Sequence, residues 1–218
     1  MNDLRAVGRD ARMRRVAAMI AAIAWVAVIG QCAVSAVRAG GVGEPLWTVP
    51  INLLGFFTIW ANILVALVTT VAALGRGGGL LGRPGTRLAV FVYIVVVGLI
   101  YNILLVGLYP LAGFGLFVDT LLHRVVPVLY ALWWLLLVPR GSVGWSTLLP
   151  GLVVPTLYAF VAMGKGAVTG RYPYPFLDIG VHGIGGVMIN IVGLVALFAG
   201  LMAVAIAWDR RAAPRAAA

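Results

Sequence analysis

The stretch Asp119-Thr120-Leu121-Leu122-His123-Arg124-Val125-Val126-Pro127 places an acid, an imidazole and a guanidinium at the start of an apolar run that continues to Val138. Ionisable groups inside an apolar membrane helix are costly, and a functional site is their default reading. Asp119 and His123 stand four apart, so a helix carries both on one face, where the carboxylate can fix the imidazole tautomer. Pro127 is four further on and has no N–H to offer the His123 carbonyl, so the backbone should kink or loosen at the histidine. An oriented imidazole of this kind suits a general base or a metal ligand. The plainer reading is a histidine that only bonds a neighbouring helix, with the charges in the headgroup layer.

The elements that must position these residues follow from composition. Hydrophobic residues make up 63% of 218 positions and the mean hydropathy is +1.08, which leaves too little polar surface to cover a soluble core. The reading is an all-α polytopic membrane protein, a single domain over 1–218. Its six transmembrane helices are expected at about 16–37, 51–74, 88–109, 117–138, 146–164 and 181–207. The net charge of +10 sits in short clusters between apolar runs, which argues for topology signals and against nucleic acid as a partner. Cys32 is the sole cysteine, so an internal disulfide and a multi-cysteine metal cluster are excluded. The first run is about twice the length of a signal-peptide core and is read as a retained helix.

The basic residues set the orientation. Arg5, Arg9, Arg12, Arg14 and Arg15 in the head share a side with Arg76, Arg83, Arg87, Arg140, Arg210, Arg211 and Arg215. Arg38, Lys165 and Arg171 fall on the other side, with Arg124 just inside the fourth helix. This bias places both termini in the cytoplasm of a multi-pass cell-membrane protein. At about 1.5 Å per residue, the outer half then collects Thr58, Asn62, Tyr101, Asn102, Asp119, His123, Arg124, Asp178 and His182. The inner half holds little beyond Thr69 and Thr70. A lone Thr in a membrane helix usually bonds its own backbone; Thr58 stands apart through His123 at matching depth. Gly186, Gly193 and Gly200 read as a packing stripe, and Trp133, Trp134, Trp145, Trp208, Trp47, Tyr172 and Tyr174 as interfacial aromatics.

Three short motifs in order, Phe56-Phe57-Thr58, then His123 with Pro127, then Tyr174-Pro175-Phe176-Leu177-Asp178 before the last apolar helix, resemble the androgen-induced protein family. That family includes the androgen-dependent regulator of tissue factor pathway inhibitor and bacterial relatives. The resemblance covers about half the chain, and the first span, the loop Gly75 to Arg87 and His182 show no counterpart. It implies a six-span threonine hydrolase of fatty acid esters of hydroxy fatty acids, with Thr58 as nucleophile, His123 as its base and no cofactor or metal. The expected partner is a membrane lipid or lipid-ester substrate.

For such a reaction the sequence offers Asp119 to orient His123, and Asn62, Asn102 and Arg124 as supporting donors for an oxyanion, with Arg124 alternatively holding a substrate carboxylate. The repeated spacing of Asp178 and His182 forms a second polar pair and keeps open a metal-dependent membrane hydrolase using His123, His182, Asp119 and Asp178. A non-enzymatic lipid-binding, transport or regulatory protein is the remaining reading.

Overall fold

The computed structural model describes residues 2–108 and 110–213, and among these every regular element is helical. The helices are α1 (Asn2–Gly41), α2 (Thr48–Leu53), α3 (Phe57–Ala73), α4 (Pro84–Ile100), α5 (Gly113–Thr120), α6 (Val126–Leu136), α7 (Leu148–Thr169) and α8 (Ile179–Arg211). Two π-helical turns interrupt the pattern: Tyr101–Leu105 extends α4, and Leu121–Val125 joins α5 to α6. Tyr109, the expected end of the third helix, and Arg215 of the basic tail lie outside the described residues, as do the side chains of Arg5 and Arg9.

Five helical stretches are long and apolar enough to cross a membrane, Asp10–Gly41, Pro84–Leu105, Gly113–Leu136, Trp145–Thr169 and Ile179–Arg211. The chain is a multi-pass membrane protein by this measure. The sixth expected span differs. The uncharged run 51–74 is divided at Leu54-Gly55-Phe56, leaving α3 as a shorter apolar helix of 17 residues. Side chains take the place of the helical ladder at that break, where Trp60 Nε1 donates to Leu54 O (2.7 Å) and the Tyr158 hydroxyl to Gly55 O (2.8 Å), and Lys165 Nζ holds the Asn52 side chain just before it (3.1 Å to Oδ1). Thr58 therefore opens a helix instead of lying within one. α1 runs back through the basic head and α7 continues past Gly164 to include Lys165, whereas the third span ends at Leu105 and the fourth at Leu136, short of the expected 109 and 138.

α4 is the hub, packing on α3, α6, α7 and α8, while α1 lies against α3, α5 and α6. Gly98 makes the α4–α6 approach possible, since a Cβ there would stand 3.2 Å from Pro127 Cβ and 3.6 Å from the His123 carbonyl. Phe57, Tyr93, Tyr158 and Phe198 meet edge-on or tilted, with centroids 5.2–6.1 Å apart, tying α3, α4, α7 and α8 together. Two sequence expectations are corrected here. Trp133 and Trp134 are buried in the bundle, where Trp133 Nε1 donates to Met13 O (3.1 Å), so they are core residues; Trp47, Trp145 and Trp208 are exposed as expected. Gly193 and Gly200 face nothing within 4 Å, so the glycines of α8 do not mediate close packing within the chain.

At the end of the bundle remote from Thr58, Asp209 is 1% exposed and accepts from the Gly141 and Val143 amides at 3.0 and 3.1 Å. Arg140 stands 3.9 Å from it, bonds Trp134 O and lies over the Trp134 ring. Removing the carboxylate takes the acceptor from the buried Val143 amide and the counter-charge from beside Arg140. Asp209→Ala should cost about 2–3 kcal/mol and lower the unfolding midpoint in detergent by roughly 5–10 °C. Thermal unfolding of wild type and variant in the same detergent checks this.

Candidate active site

The expected loosening at His123 is present as the π-helical turn Leu121–Val125, a feature often found at functional sites. A wide turn followed by Pro127 leaves carbonyls without their helical donors, and an apolar surrounding gives them no water. Two asparagines from other helices supply the missing donors. Asn62 Nδ2 of α3 donates to Leu122 O (3.3 Å) and to Thr58 O (2.8 Å), and Asn102 Nδ2 donates to His123 O (3.2 Å) and to Gly98 O (2.8 Å). Asn62 is fully buried, with its Oδ1 left without a partner.

His123 is then held from three sides. Its Nδ1 is 3.0 Å from both the Asp119 main-chain carbonyl and Asp119 Oδ1. Both partners are acceptors, so the ring proton belongs on Nδ1 and Nε2 is the bare nitrogen. Tyr101 stacks on the imidazole at 3.7 Å and 13°, and its hydroxyl donates to Asp119 Oδ2 at 2.6 Å. Arg124 Nε donates to Asn102 Oδ1 (2.9 Å), while its guanidinium lies 3.8 Å from Asp119 Oδ2 and over the Tyr101 ring.

Nε2 faces Thr58 Oγ1 at 3.3 Å. The contrast with the other threonines is direct: Thr69 and Thr70 bond the carbonyls of Val65 and Ala66 one turn back, at 2.6 and 2.7 Å. Thr58 is on the first turn of α3, with Phe56 extended before it (φ −112°, ψ 126°), and the hydroxyl reaches across to the histidine. The result is a hydroxyl, a base and a carboxylate in series, the arrangement that activates an oxygen nucleophile.

The site lies between two cavities. One of about 380 Å³ is bordered by Thr58, Asp119 and His123 together with Gln31, Ser35 and Arg38 of α1. The other, about 70 Å³, is an apolar slot between α3, α4, α7 and α8, bordered by Thr58, Val96, Pro155, Leu194 and Phe198. Thr58, Tyr101, Leu105 and Tyr174 border both. Tyr174 lies in the connection between α7 and α8, where burial pushes its phenol up.

Of the residues named from sequence, Thr58, Asn62, Asn102, Asp119, His123 and Arg124 come together. The second polar pair does not. Asp178 Oδ1 caps α8 by accepting from the Gly180 amide (2.8 Å), and His182 is exposed beside the break at Gly183 (φ 64°). Neither borders the cavity that His123 lines, and among the described residues no three His, Cys, Asp or Glu are grouped to hold a metal. Tyr174 was read from sequence as interfacial; only its place beside Asp178 in a tight Pro-rich connection could have pointed to the site. No family model, curated protein or solved structure matches the chain.

The chain has two histidines, so their tautomers can be assigned directly. Nitrogen-15 NMR of histidine-labelled protein should show one ring in the Nδ1–H form, lost in His123→Gln, and Asp119→Asn should erode that preference. An Nε2–H ring at position 123 would contradict the arrangement.

Proposed function

We propose that this protein is an integral membrane hydrolase of lipid esters, with Thr58 as nucleophile, His123 as general base and Asp119 as the group that orients the imidazole. The observation that carries the reading is the Thr58 Oγ1 to His123 Nε2 contact at 3.3 Å, with Nδ1 of the same ring held by Asp119. The resemblance of the Thr58, His123 and Tyr174–Asp178 motifs to the androgen-induced protein family points the same way, and gives fatty acid esters of hydroxy fatty acids as the substrate class. We read α2 and α3 together as the second of six spans, with both termini cytoplasmic; reporters fused at each terminus should both read inside.

In the reaction, Thr58 Oγ attacks the acyl carbon as its proton passes to His123 Nε2. The imidazolium returns that proton to the departing alkoxide, which leaves as the alcohol. Water then attacks the acyl-threonine and gives a proton to Nε2, which passes it to the departing Thr58 Oγ as the acid is released. Asp119 stabilises the imidazolium through both steps, and Tyr101, bonded to its other oxygen, keeps the carboxylate in place. The apolar slot suits an acyl chain, and the larger cavity, with Arg38, Gln31 and Ser35, suits the hydroxy-acid half.

Hydroxyl chemistry makes an asymmetric demand at position 58. Thr58→Ser should retain hydrolysis of long-chain esters and labelling by a fluorophosphonate, whereas Thr58→Val and His123→Ala should lose both, by about 10³-fold or more in kcat. Asp119→Asn should lower kcat by roughly 10²-fold to 10⁴-fold, because the amide no longer enforces the Nδ1–H tautomer. Assay of detergent-purified protein decides it; activity surviving in Thr58→Val removes the threonine mechanism.

A further inference from the structure

Two charged side chains border the larger cavity at Thr58, Asp119 and Arg38. Asp119 is fully engaged, with His123 Nδ1 at 3.0 Å, the Tyr101 hydroxyl at 2.6 Å and Arg124 at 3.8 Å. Arg38 is not. Among the described residues its guanidinium has neither an ion pair nor a hydrogen bond. Its place in the last turn of α1 suits the helix dipole, yet leaves every guanidinium donor unused.

The neutral groups of the same lining add donors. Asn52 borders the cavity, and Lys165 Nζ stands 3.1 Å from its Oδ1. An ammonium has only donors, so the amide oxygen is the end it holds, and Nδ2, without a partner among the described residues, is the end left over. On α1, Ser35 Oγ accepts from Gln31 Nε2 (3.3 Å), which leaves the serine proton to donate. Gln31, Ser35 and Arg38 follow one another at four and three residues and share one face of α1, so this polar wall runs along the helix for about 10 Å.

We infer that Arg38, with Asn52 beside it in the lining, forms a subsite for an anionic oxygen group, a carboxylate or a phosphate, on the alcohol half of the ester, and that Arg38 selects substrates which carry one. A guanidinium presents paired N–H donors that match two oxygens of either group. The wall around it supplies further donors, and its one carboxylate is already neutralised at the His123 end. Thr58 borders both this cavity and the apolar slot, so an ester at Thr58 with its acyl chain in the slot has its other half in the space that Arg38 borders.

This inference rests on the hydrolase reading, and the test tells their failures apart. Full-length protein in non-ionic detergent is assayed with two matched pairs of palmitoyl esters. One pair is the ester of a long-chain hydroxy acid and the same compound as its methyl ester; the other is palmitoyl glycerol phosphate and palmitoyl glycerol. The charged member of a pair should be favoured about 10-fold to 10²-fold in kcat/KM, mostly through KM, and Arg38→Gln should bring that ratio to within about threefold, with Arg38→Lys between the two. Preference in the acid pair makes the ligand group a carboxylate, and preference in the phosphate pair makes it a lipid headgroup; either supports the subsite. Arg171→Gln, which removes an arginine outside the cavity lining, should keep the ratio. A role at the helix end alone would lower the unfolding midpoint and leave the ratio intact. If Arg38→Gln does not fold, Asn52→Asp puts a carboxylate into the same lining and should abolish the preference. Equal turnover of both members of each pair by wild type, or a preference that survives Arg38→Gln, overturns the subsite and leaves the hydrolase standing. Dissociation constants of the intact esters are measured on Thr58→Ala, with and without Arg38→Gln. No turnover by wild type overturns the hydrolase; tighter binding of the charged esters that Arg38→Gln removes then keeps the subsite, and equal binding overturns it too.

Discussion

The carbonyls released at His123 are the constraint on which the rest of the site depends. A π-helical turn and a proline in succession leave Leu122 O and His123 O short of helical donors, and each bare carbonyl in an apolar medium costs several kcal/mol. Asn62 and Asn102 answer from α3 and α4, which fixes the relative height and rotation of both helices against the α5–α6 segment. The same register brings Thr58, one turn before Asn62, opposite Nε2, and Tyr101, next to Asn102, onto the face of the imidazole. Satisfying backbone polarity and bringing Thr58 to His123 are thus one geometric condition.

That coupling explains which parts were legible in the sequence. Asp119, His123 and Pro127 share one segment, and their spacing alone gives the common face and the loosened backbone, both of which the structure contains. Membrane character is equally plain, because it depends on summed apolarity and on no particular contact. The break at Leu54–Phe56 was hidden: its residues are apolar throughout, and what stops the helix there is a set of bonds from Trp60, Tyr158 and Lys165, the last two more than a hundred positions away. The donor capacity of Asn62 and Asn102 could be read, but not its direction, since a side-chain amide faces a reacting atom or a carbonyl according to which backbone groups lack partners. Asp178 and His182 show the limit of spacing. Four residues apart ensures a shared face only inside a helix, and Asp178 is the extended N-cap of α8 (φ −78°, ψ 110°), its carboxylate turned to the Gly180 amide.

The two cavities give the site a polarity of its own. On one side of Thr58 the lining includes Arg38, Gln31, Ser35 and Asn52; on the other it is aliphatic and aromatic. An amphipathic molecule with its scissile bond at the boundary gains on both sides at once, burying its chain at about 25 cal/mol per Å² of apolar area while its polar half keeps hydrogen-bonding partners. Reversing it forfeits both. On the proposed hydrolase reading, the orientation of a substrate at Thr58 is therefore set by partition, and only the last ångström by hydrogen bonds.

A base working in such surroundings has an electrostatic problem that a soluble enzyme does not face to the same degree, because it must become a cation where water is scarce. Asp119 resolves it by being charged beforehand. The resting cluster holds one carboxylate and the partly exposed Arg124 guanidinium 3.8 Å from it, with the Tyr101 proton on the same oxygen. In the proposed reaction, the proton moves from Thr58 to His123, and the new cation appears 3.0 Å from Asp119 Oδ1 with the new anion on the far side of the scissile bond. Net charge in the site does not change; only a dipole grows, along a line that Asp119, His123 and Thr58 already define. A neutral histidine without its acid would have to create that separation unaided, and a second acid in place of Thr58 would leave an excess charge that the apolar slot has no group to balance.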